Sequence, residues 1–120
     1  MRAGPLMAGT AKINIIPPKP KYPVHDSLYA RALILEADGS RIAFVSLNLG
    51  GYTNIPLVEK LKSRFNLKEA YFCLQHTHSS ETVPREWLER QILSVMETAS
   101  KNMFEAHVSG GHRYFPQRRI

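Results

Sequence analysis

Residues 70–81 read Ala-Tyr-Phe-Cys-Leu-Gln-His-Thr-His-Ser-Ser-Glu, and this segment changes character halfway along. Its first five residues are rich in aromatic and aliphatic side chains, which is typical of a buried strand, and a polar run follows at once. In that run His76 and His78 are separated by one residue. In an extended backbone such residues project from the same face, with Cα atoms about 6–7 Å apart. The segment therefore predicts a strand that carries two imidazoles to a site.

Two interpretations of this histidine pair stay open from the residues alone. A neutral imidazole nitrogen is a good ligand for a borderline metal such as Zn²⁺, and strand ends are where α/β folds gather ligands. Alternatively, both rings end a strand and bond to loop backbone or water. A catalytic zinc site needs at least three protein ligands and an open position. The remaining candidates in the sequence are His25, Asp26, Glu81, His107 and His112.

Hydrophobic patterns and turn residues predict the elements before this segment. Residues 10–16 alternate apolar and polar, as expected of a half-buried strand, and a proline-rich connector follows at residues 17–23. Residues 29–36 and 41–49 are β-rich runs around Asp38-Gly39, a strong hairpin signal. Residues 42–47 are apolar on both faces, which favours a central strand in a sheet covered on both sides.

Helical spacing predicts two helices and a last strand. The first helix begins near Asn54 and ends at Asn66, and the second runs from about Pro84 to Asn102. Residues 105–109 read as a final strand, which makes His107 a sheet residue. The order of elements predicts an α/β fold, a mixed β-sheet with a β-hairpin and two packed helices.

Composition limits the classes of partner. The 120 residues correspond to a single domain, and 16 Lys and Arg against 10 Asp and Glu give a net charge of +6. The cations are scattered, without a basic run interleaved with aromatics, so we expect no nucleic-acid partner. The single cysteine, Cys73, excludes an intramolecular disulfide and reads as a small core residue. The sequence contains no signal peptide and no transmembrane segment, and it indicates no compartment.

The segment after the last predicted strand favours an incomplete fold. Residues 110–120 are glycine-rich, then basic and aromatic, with no helix to cover the sheet. We expect residues 1–120 to form the amino-terminal portion of a larger catalytic domain. The alternative is the frayed terminus of a complete small domain.

Two families with a His-x-His motif fit poorly. Metallo-β-lactamase-like hydrolases continue as His-x-His-x-Asp-His, which Ser80-Glu81 does not supply. Amidohydrolase barrels place the pair at the end of their first strand, whereas several predicted strands precede His76 here.

A third family fits better. Four phrases come in the order and spacing seen at the start of the neutral/alkaline, non-lysosomal ceramidase family, and the chain resembles that family over nearly its whole length. They are Ala-Gly-Thr-Ala-Lys-Ile-Asn-Ile-Ile-Pro-Pro at 8–18, His-Asp-Ser-Leu-Tyr-Ala-Arg-Ala at 25–32, Phe-Val-Ser-Leu-Asn-Leu-Gly at 44–50, and His-Thr-His-Ser at 76–79.

The resemblance implies a zinc-dependent hydrolysis of the amide bond of ceramide, or of another N-acyl compound, to an amine and a fatty acid. It makes His76 a ligand of a single zinc ion, with His78 beside the metal in a catalytic role. Arg119, or else Arg118, falls where the family carries a substrate-binding Asn-Arg motif. It also implies that the other zinc ligands lie outside this chain, in the remainder of the catalytic domain. Members of the family are often secreted and reach lipid at a membrane surface.

Two positions depart from the family pattern. The chain has Asn48 where members often have Asp, and Ser80 where they have Gly. Loss of a carboxylate at Asn48 alters the hydrogen bonding behind the site. We therefore expect a portion of a zinc-dependent amide hydrolase that is inactive by itself. The alternative is a small non-catalytic α/β binding or interaction module in which His76 and His78 are structural.

Overall fold

The computed structural model of the protein describes residues 5–17, 28–75 and 83–111. The described residues form a five-stranded sheet and two helices. Along the chain the elements are β1 (Leu6–Asn14), β2 (Tyr29–Ala37), β3 (Ser40–Leu47), α1 (Ile55–Arg64), β4 (Glu69–Leu74), α2 (Arg85–Lys101) and β5 (Phe104–Ala106).

The sheet is mixed, with strand order β4-β3-β2-β1-β5. Strands β1, β2 and β3 are antiparallel neighbours, β5 pairs antiparallel with β1, and β3 and β4 are parallel. Parallel neighbours need a crossover, and α1 supplies it between β3 and β4. This α/β architecture, with its hairpin and two helices packed on a mixed sheet, confirms the predicted fold class.

The β2–β3 hairpin forms at the predicted Asp-Gly. Asp38 and Gly39 have φ angles of 49° and 79°, and Ala37 pairs with Ser40 on either side of them. Positive φ at both central residues is the requirement of the type I′ turn, whose twist matches that of the strands. At the same end of the sheet Arg41 forms an ion pair of 3.2 Å with Glu36 and donates from Nη1 to the Phe65 carbonyl at 3.0 Å. The turn is thereby tied to the end of α1.

Local sequence explains where the helices begin and end. The side chain of Asn54 caps α1 by accepting a hydrogen bond from the Leu57 amide at 3.0 Å. Asn66 follows the helix with a φ of 55°, in the left-handed region that ends helices. The second helix is flanked by Pro84 and Asn102, so the predicted bounds of both helices are confirmed.

The core lies between the helices and one face of the sheet. Alternate strand residues point to this inner face, among them Ala11, Ala32 and Val45, which are cross-strand neighbours. Helix α2 packs on them through five buried residues, which form one apolar stripe along the helix. They are Leu88, Ile92, Val95, Met96 and Ala99.

Helix α2 approaches β1 so closely that one position requires glycine. A Cβ at Gly9 would collide with the carbonyl oxygen of Ala99 and with the sulfur of Met103. Gly9 therefore allows the first strand and the last helix to meet backbone to backbone.

The two helices are joined at the surface by an ion-pair cluster around Glu97. Its carboxylate forms ion pairs with Lys101 Nζ and with Arg64 Nη2, each at 3.2 Å. The hydrogen bond and the charge of Lys101, followed by the charge of Arg64, lower the pKa of Glu97 from its ordinary value of 4.5. The cluster is exposed, so it adds little to stability.

The opposite face of the sheet, called here the open face, corrects one expectation. Within residues 5–17, 28–75 and 83–111 no helix lies on it, so in this part of the chain the sheet lacks the cover on both sides that the apolar run 42–47 predicted. Strand β3 is nonetheless an interior strand. By cross-strand register the open face carries Ala8, Thr10, Lys12, Arg31, Leu33, Leu35, Ile42, Phe44, Ser46, Tyr71, Cys73 and Phe104.

Three further expectations are corrected. Cys73 is exposed rather than buried, because its register places it on the open face. Strand β1 begins at Leu6, earlier than the alternation predicted, because residues 6–8 pair with β5. Strand β5 covers residues 104–106, so His107 follows the strand and is exposed instead of lying within it.

Candidate functional site

Several elements begin or end at one end of the strands, beyond the carboxyl ends of the parallel strands β3 and β4. This end of the sheet is called here the site edge. Strands β1, β3 and β4 end there and β2 begins there, as shown by the pairing of Asn14 with Tyr29 and of Leu47 with Leu74. Both helices follow β3 and β4 and run back along the sheet, so α1 and α2 also begin at this edge. In α/β sheets, ligands bind outside the carboxyl ends of parallel strands. The geometry thus marks the site edge as the candidate functional site.

Side-chain amides join three strands at the site edge. Asn48 Oδ1 accepts a hydrogen bond from the Tyr29 amide at 2.9 Å, and Asn48 Nδ2 donates to Gln75 Oε1. Gln75 Nε2 in turn donates to Ser46 Oγ at 2.9 Å. We call Ser46, Asn48 and Gln75 the amide clasp. The clasp fixes the side chain of Gln75. The backbone of Gln75 is fixed as well, because its main-chain N–H donates to the Leu47 carbonyl at 2.9 Å.

A second group of contacts connects the starts of the two helices. The Tyr52 hydroxyl accepts a hydrogen bond from Asn54 Nδ2 at 2.9 Å, and its ring meets the edge of Phe72 at a centroid distance of 5.4 Å. Arg85, at the start of α2, lies over the Tyr52 ring at 5.9 Å and reaches the Thr53 carbonyl at 3.4 Å. An exposed guanidinium and a half-buried phenol therefore stand together beside the carboxyl end of β4.

Helix α2 is also fixed to the end of β1. Trp87 Nε1 donates to the Ile15 carbonyl at 3.0 Å, and Gln91 Nε2 donates to the Asn14 carbonyl at 2.9 Å. The sequence leaves Trp87 either to pack at the edge of the fold or to border the site. The ring of Trp87 is half-buried, and its Nε1 donates to the carbonyl of Ile15, directly after β1. Trp87 therefore has a packing role.

The predicted site residues His76, His78 and Arg119 lie outside the described residues, as do the candidates His25, Asp26, Glu81, His112 and Arg118. The residues that precede and follow them are described. Gln75 and Val83 flank the histidine pair, and Pro17 and Leu28 flank the segment with His25 and Asp26. Gln75 belongs to the amide clasp, and the Leu28 carbonyl accepts from the Ile15 amide at 2.9 Å at the same edge. The described residues that flank these two segments therefore lie at the site edge. The described residues before His112 follow β5, which pairs with the opposite end of β1.

His107 does not belong to this group. It follows β5, and β5 pairs with residues 6–8, at the opposite end of β1 from Asn14. The His107 side chain therefore cannot reach a metal bound at the site edge, and His107 is not a candidate ligand for a zinc ion there.

The described part of the chain does not by itself form a metal centre. Within residues 5–17, 28–75 and 83–111, no three His, Cys, Asp or Glu side chains gather closely enough to hold a cation. The described polar side chains at the site edge carry amides, hydroxyls, the Arg85 guanidinium and the Trp87 indole, which are suited to orienting ligands rather than to binding zinc directly. No helix in the described ranges has the length and apolar character needed to cross a bilayer.

Comparison with models of known protein families gives no match for this chain, and comparison with curated proteins gives none either.

Sequence reasoning missed several features of the site edge. It identified Asn48 through hydrogen bonding behind the site, but it did not identify Gln75 as the partner. Tyr52 and Arg85 were also missed, because each comes from a loop or a helix start whose position depends on the crossover. The sequence signal for them was the point where the apolar runs of β3 and β4 end. The residues directly after two parallel strands lie at the same end of the sheet, so they are expected to meet.

Proposed function

We propose that the protein is a portion of a zinc-dependent amide hydrolase of the neutral ceramidase type, acting on ceramide or a related N-acyl compound. The observation that carries the proposal is the amide clasp at the carboxyl ends of the parallel strands β3 and β4. It holds Gln75, the residue directly before His76. A rigid support directly behind a ligand is what a metal site requires.

In this proposal His76 is a zinc ligand and His78 stands beside the metal, where its imidazole holds or transfers a proton. Bound zinc supplies polarisation of the scissile carbonyl and a water of lowered pKa. Arg119 is the candidate for substrate contact. The other zinc ligands come from the remainder of the catalytic domain.

Asn48 and Gln75 act on the site through the backbone. The Tyr29 amide holds Asn48 Oδ1, so Asn48 presents its Nδ2 to Gln75 in one orientation. Since β4 is an edge strand paired only with β3 among the described strands, its end depends on such side-chain bonds for its position.

The test uses the open reading frame that encodes this chain, expressed through to its own stop codon. Zinc content is measured by mass spectrometry, and amide hydrolysis is measured with a fluorescent N-acylsphingosine. We expect His76→Ala to lose stoichiometric zinc and more than about 100-fold of the hydrolysis rate, since even residues behind a ligand cost 10–100-fold. His78→Ala should retain zinc and lose about 10²–10⁴-fold in rate, as for a group that transfers a proton.

His107→Ala is the matched control, because it removes an exposed imidazole at the opposite end of the sheet. It should leave zinc content and rate unchanged. Unchanged zinc content in His76→Ala refutes the assigned ligand. A stop codon directly after Ile120 together with no bound zinc refutes the hydrolase.

The alternative class, a non-catalytic binding module, has one observation in its favour. The open face carries half-exposed Phe44 and exposed Tyr71, stacked at a centroid distance of 5.4 Å. Apolar surface of this kind marks a binding surface. A protein that binds a ligand at the open face and takes up no zinc belongs to this second class.

A further inference from the structure

The open face contains a groove with a charged end and an apolar end. It has a volume of about 530 Å³, within the range of small-molecule sites. Its lining includes Thr10, Lys12, Arg31, Leu33, Phe44 and Ser46. Ser46 also belongs to the amide clasp, so the charged end of the groove borders the site edge.

Lys12 and Arg31 form the charged end, and we call them the basic pair. They are direct cross-strand partners on β1 and β2, and both side chains are exposed. Like charges directly opposite each other destabilise a sheet. Both cations lie over the ring of Tyr29, at 4.6 Å and 5.2 Å from its centroid, which holds them side by side. Within the described residues neither forms an ion pair with a carboxylate.

The apolar end begins one pleat further along the strands. Leu33 and Phe44 are cross-strand partners there, with Tyr71 beside Phe44 on β4. The next pair on the same face is Leu35 and Ile42. On β1 the lining of the groove extends from Lys12 to Thr10, or about 7 Å, and Ala8, the next residue on this face, is buried. Of the acidic residues on the described strands, Glu69 shares the open face, and it pairs with Ile42 at the far end.

We propose that the groove binds a free long-chain carboxylate, with the carboxylate on the basic pair and the alkyl chain over Leu33 and Phe44. Arg31 offers a guanidinium fork that matches a carboxylate, and Lys12 adds a second positive charge beside it. The hydrocarbon chain removes apolar surface of the sheet from water. A second copy of the chain is a poorer occupant, because both copies carry a net charge of +6.

This inference does not depend on the proposed hydrolase activity, and its test requires neither zinc nor turnover. The probe is dodecanoate below its micelle concentration, titrated by calorimetry at pH 7. Dodecyltrimethylammonium and dodecan-1-ol have the same chain with a positive or an uncharged head. We expect saturable binding of dodecanoate that is at least about tenfold tighter than binding of either analogue.

The double variant Lys12→Gln/Arg31→Gln should weaken dodecanoate binding by at least about tenfold. Its matched control is Lys68→Gln/Arg90→Gln, which removes two positive charges from exposed positions outside the groove and should bind as the wild type does. Circular dichroism confirms that each variant is folded. The single variant Arg31→Gln, which should show a smaller loss, gives a second measurement if the double variant is unstable.

Three binding results overturn the proposal. They are the absence of saturable dodecanoate binding, equal affinity in the wild type and Lys12→Gln/Arg31→Gln, and equal affinity for dodecyltrimethylammonium. Sedimentation velocity is measured on the same samples. A concentration-dependent dimer that Leu33→Asp abolishes assigns the open face to a second copy and also overturns it.

Discussion

Asn48 donates a side-chain hydrogen bond to Gln75, and this bond connects the chain after β3 to the residue directly after β4. Asn48 Oδ1 at the same time accepts from the Tyr29 amide at 2.9 Å. We expect Asn48→Ala to lower the free energy of unfolding by about 1–2 kcal/mol, since each such bond contributes about 0.5–1.5 kcal/mol. Urea denaturation followed by circular dichroism measures the change.

Asn48→Asp tests the same clasp with one oxygen kept in place. The carboxylate still accepts from the Tyr29 amide, and the Gln75 amide rotates to donate to it, so stability should stay within about 0.5 kcal/mol of the wild type. Asn102→Ala, an exposed asparagine after α2, serves as the control and should change little. Equal stability of Asn48→Ala and wild type would contradict the role of the clasp.

Gly9→Ala should destabilise the fold through overpacking. Its methyl group meets the Ala99 carbonyl oxygen and the Met103 sulfur, and the oxygen belongs to helix backbone that moves only with α2. The expected loss is about 1–3 kcal/mol. Gly51→Ala is the matched control, because nothing lies within 4 Å of the added atom. Thermal melts of the two variants should separate clearly, and a Gly9→Ala melt equal to that of Gly51→Ala would show that α2 does not pack as described.

Asn54 caps α1 and is buried, with 6% of its surface exposed. Removal of the cap by Asn54→Ala leaves the Leu57 amide without its acceptor and should cost about 1–2 kcal/mol. Asn54→Ser restores an acceptor at the cap and should recover part of the loss. The comparison is made by chemical denaturation, and a serine variant no more stable than the alanine variant would argue against capping as the cause.

Glu97 gives the stability a small dependence on acid pH. Its pKa is lowered in the folded state, chiefly by the hydrogen bond and charge of Lys101 and then by Arg64. The folded state therefore binds this proton less readily than the unfolded chain does. The stabilisation is present above the unfolded value near 4.5 and is lost as pH falls through the lower folded value.

Glu97→Gln removes this dependence. The variant should melt slightly below the wild type at pH 7, and the difference should vanish at acid pH once Glu97 is protonated in both states. Melting temperatures across a pH series measure it. Glu86→Gln, also a glutamate of α2, is the control for a general charge effect. A difference between wild type and Glu97→Gln that persists unchanged at acid pH would contradict this assignment.

Much of the fold follows from local sequence. Asp38-Gly39 supplies the two positive φ angles of the hairpin, Asn54 and Pro56 begin α1, and Asn66 ends it, all through the chemistry of single residues. The stripe of α2 predicts its buried face because periodicity reports which side meets the core. The exposure of Cys73 was not predictable in this way, since an apolar run of five residues does not tell which face a second layer covers.

The position of the candidate site follows from the sequence, whereas its side-chain contacts do not. The polar residues after Leu47 and Leu74 predict an edge where ligands gather, because these strands are parallel. The bond from Asn48 to Gln75 depends on the register of β3 against β4, which no local signal specifies. The basic pair also depends on strand register, because Lys12 faces Arg31 only through the pairing of β1 with β2.

The close approach of Gly9 to Ala99 also bears on how the protein is made. Strand β1 leaves the ribosome before every other described strand, yet the helix that covers its inner side is translated after β4. The nascent chain can form the β1–β2–β3 meander early, but the apolar side of that meander stays unprotected until α2 emerges. Ribosome-associated chaperones should therefore hold this chain late into its synthesis.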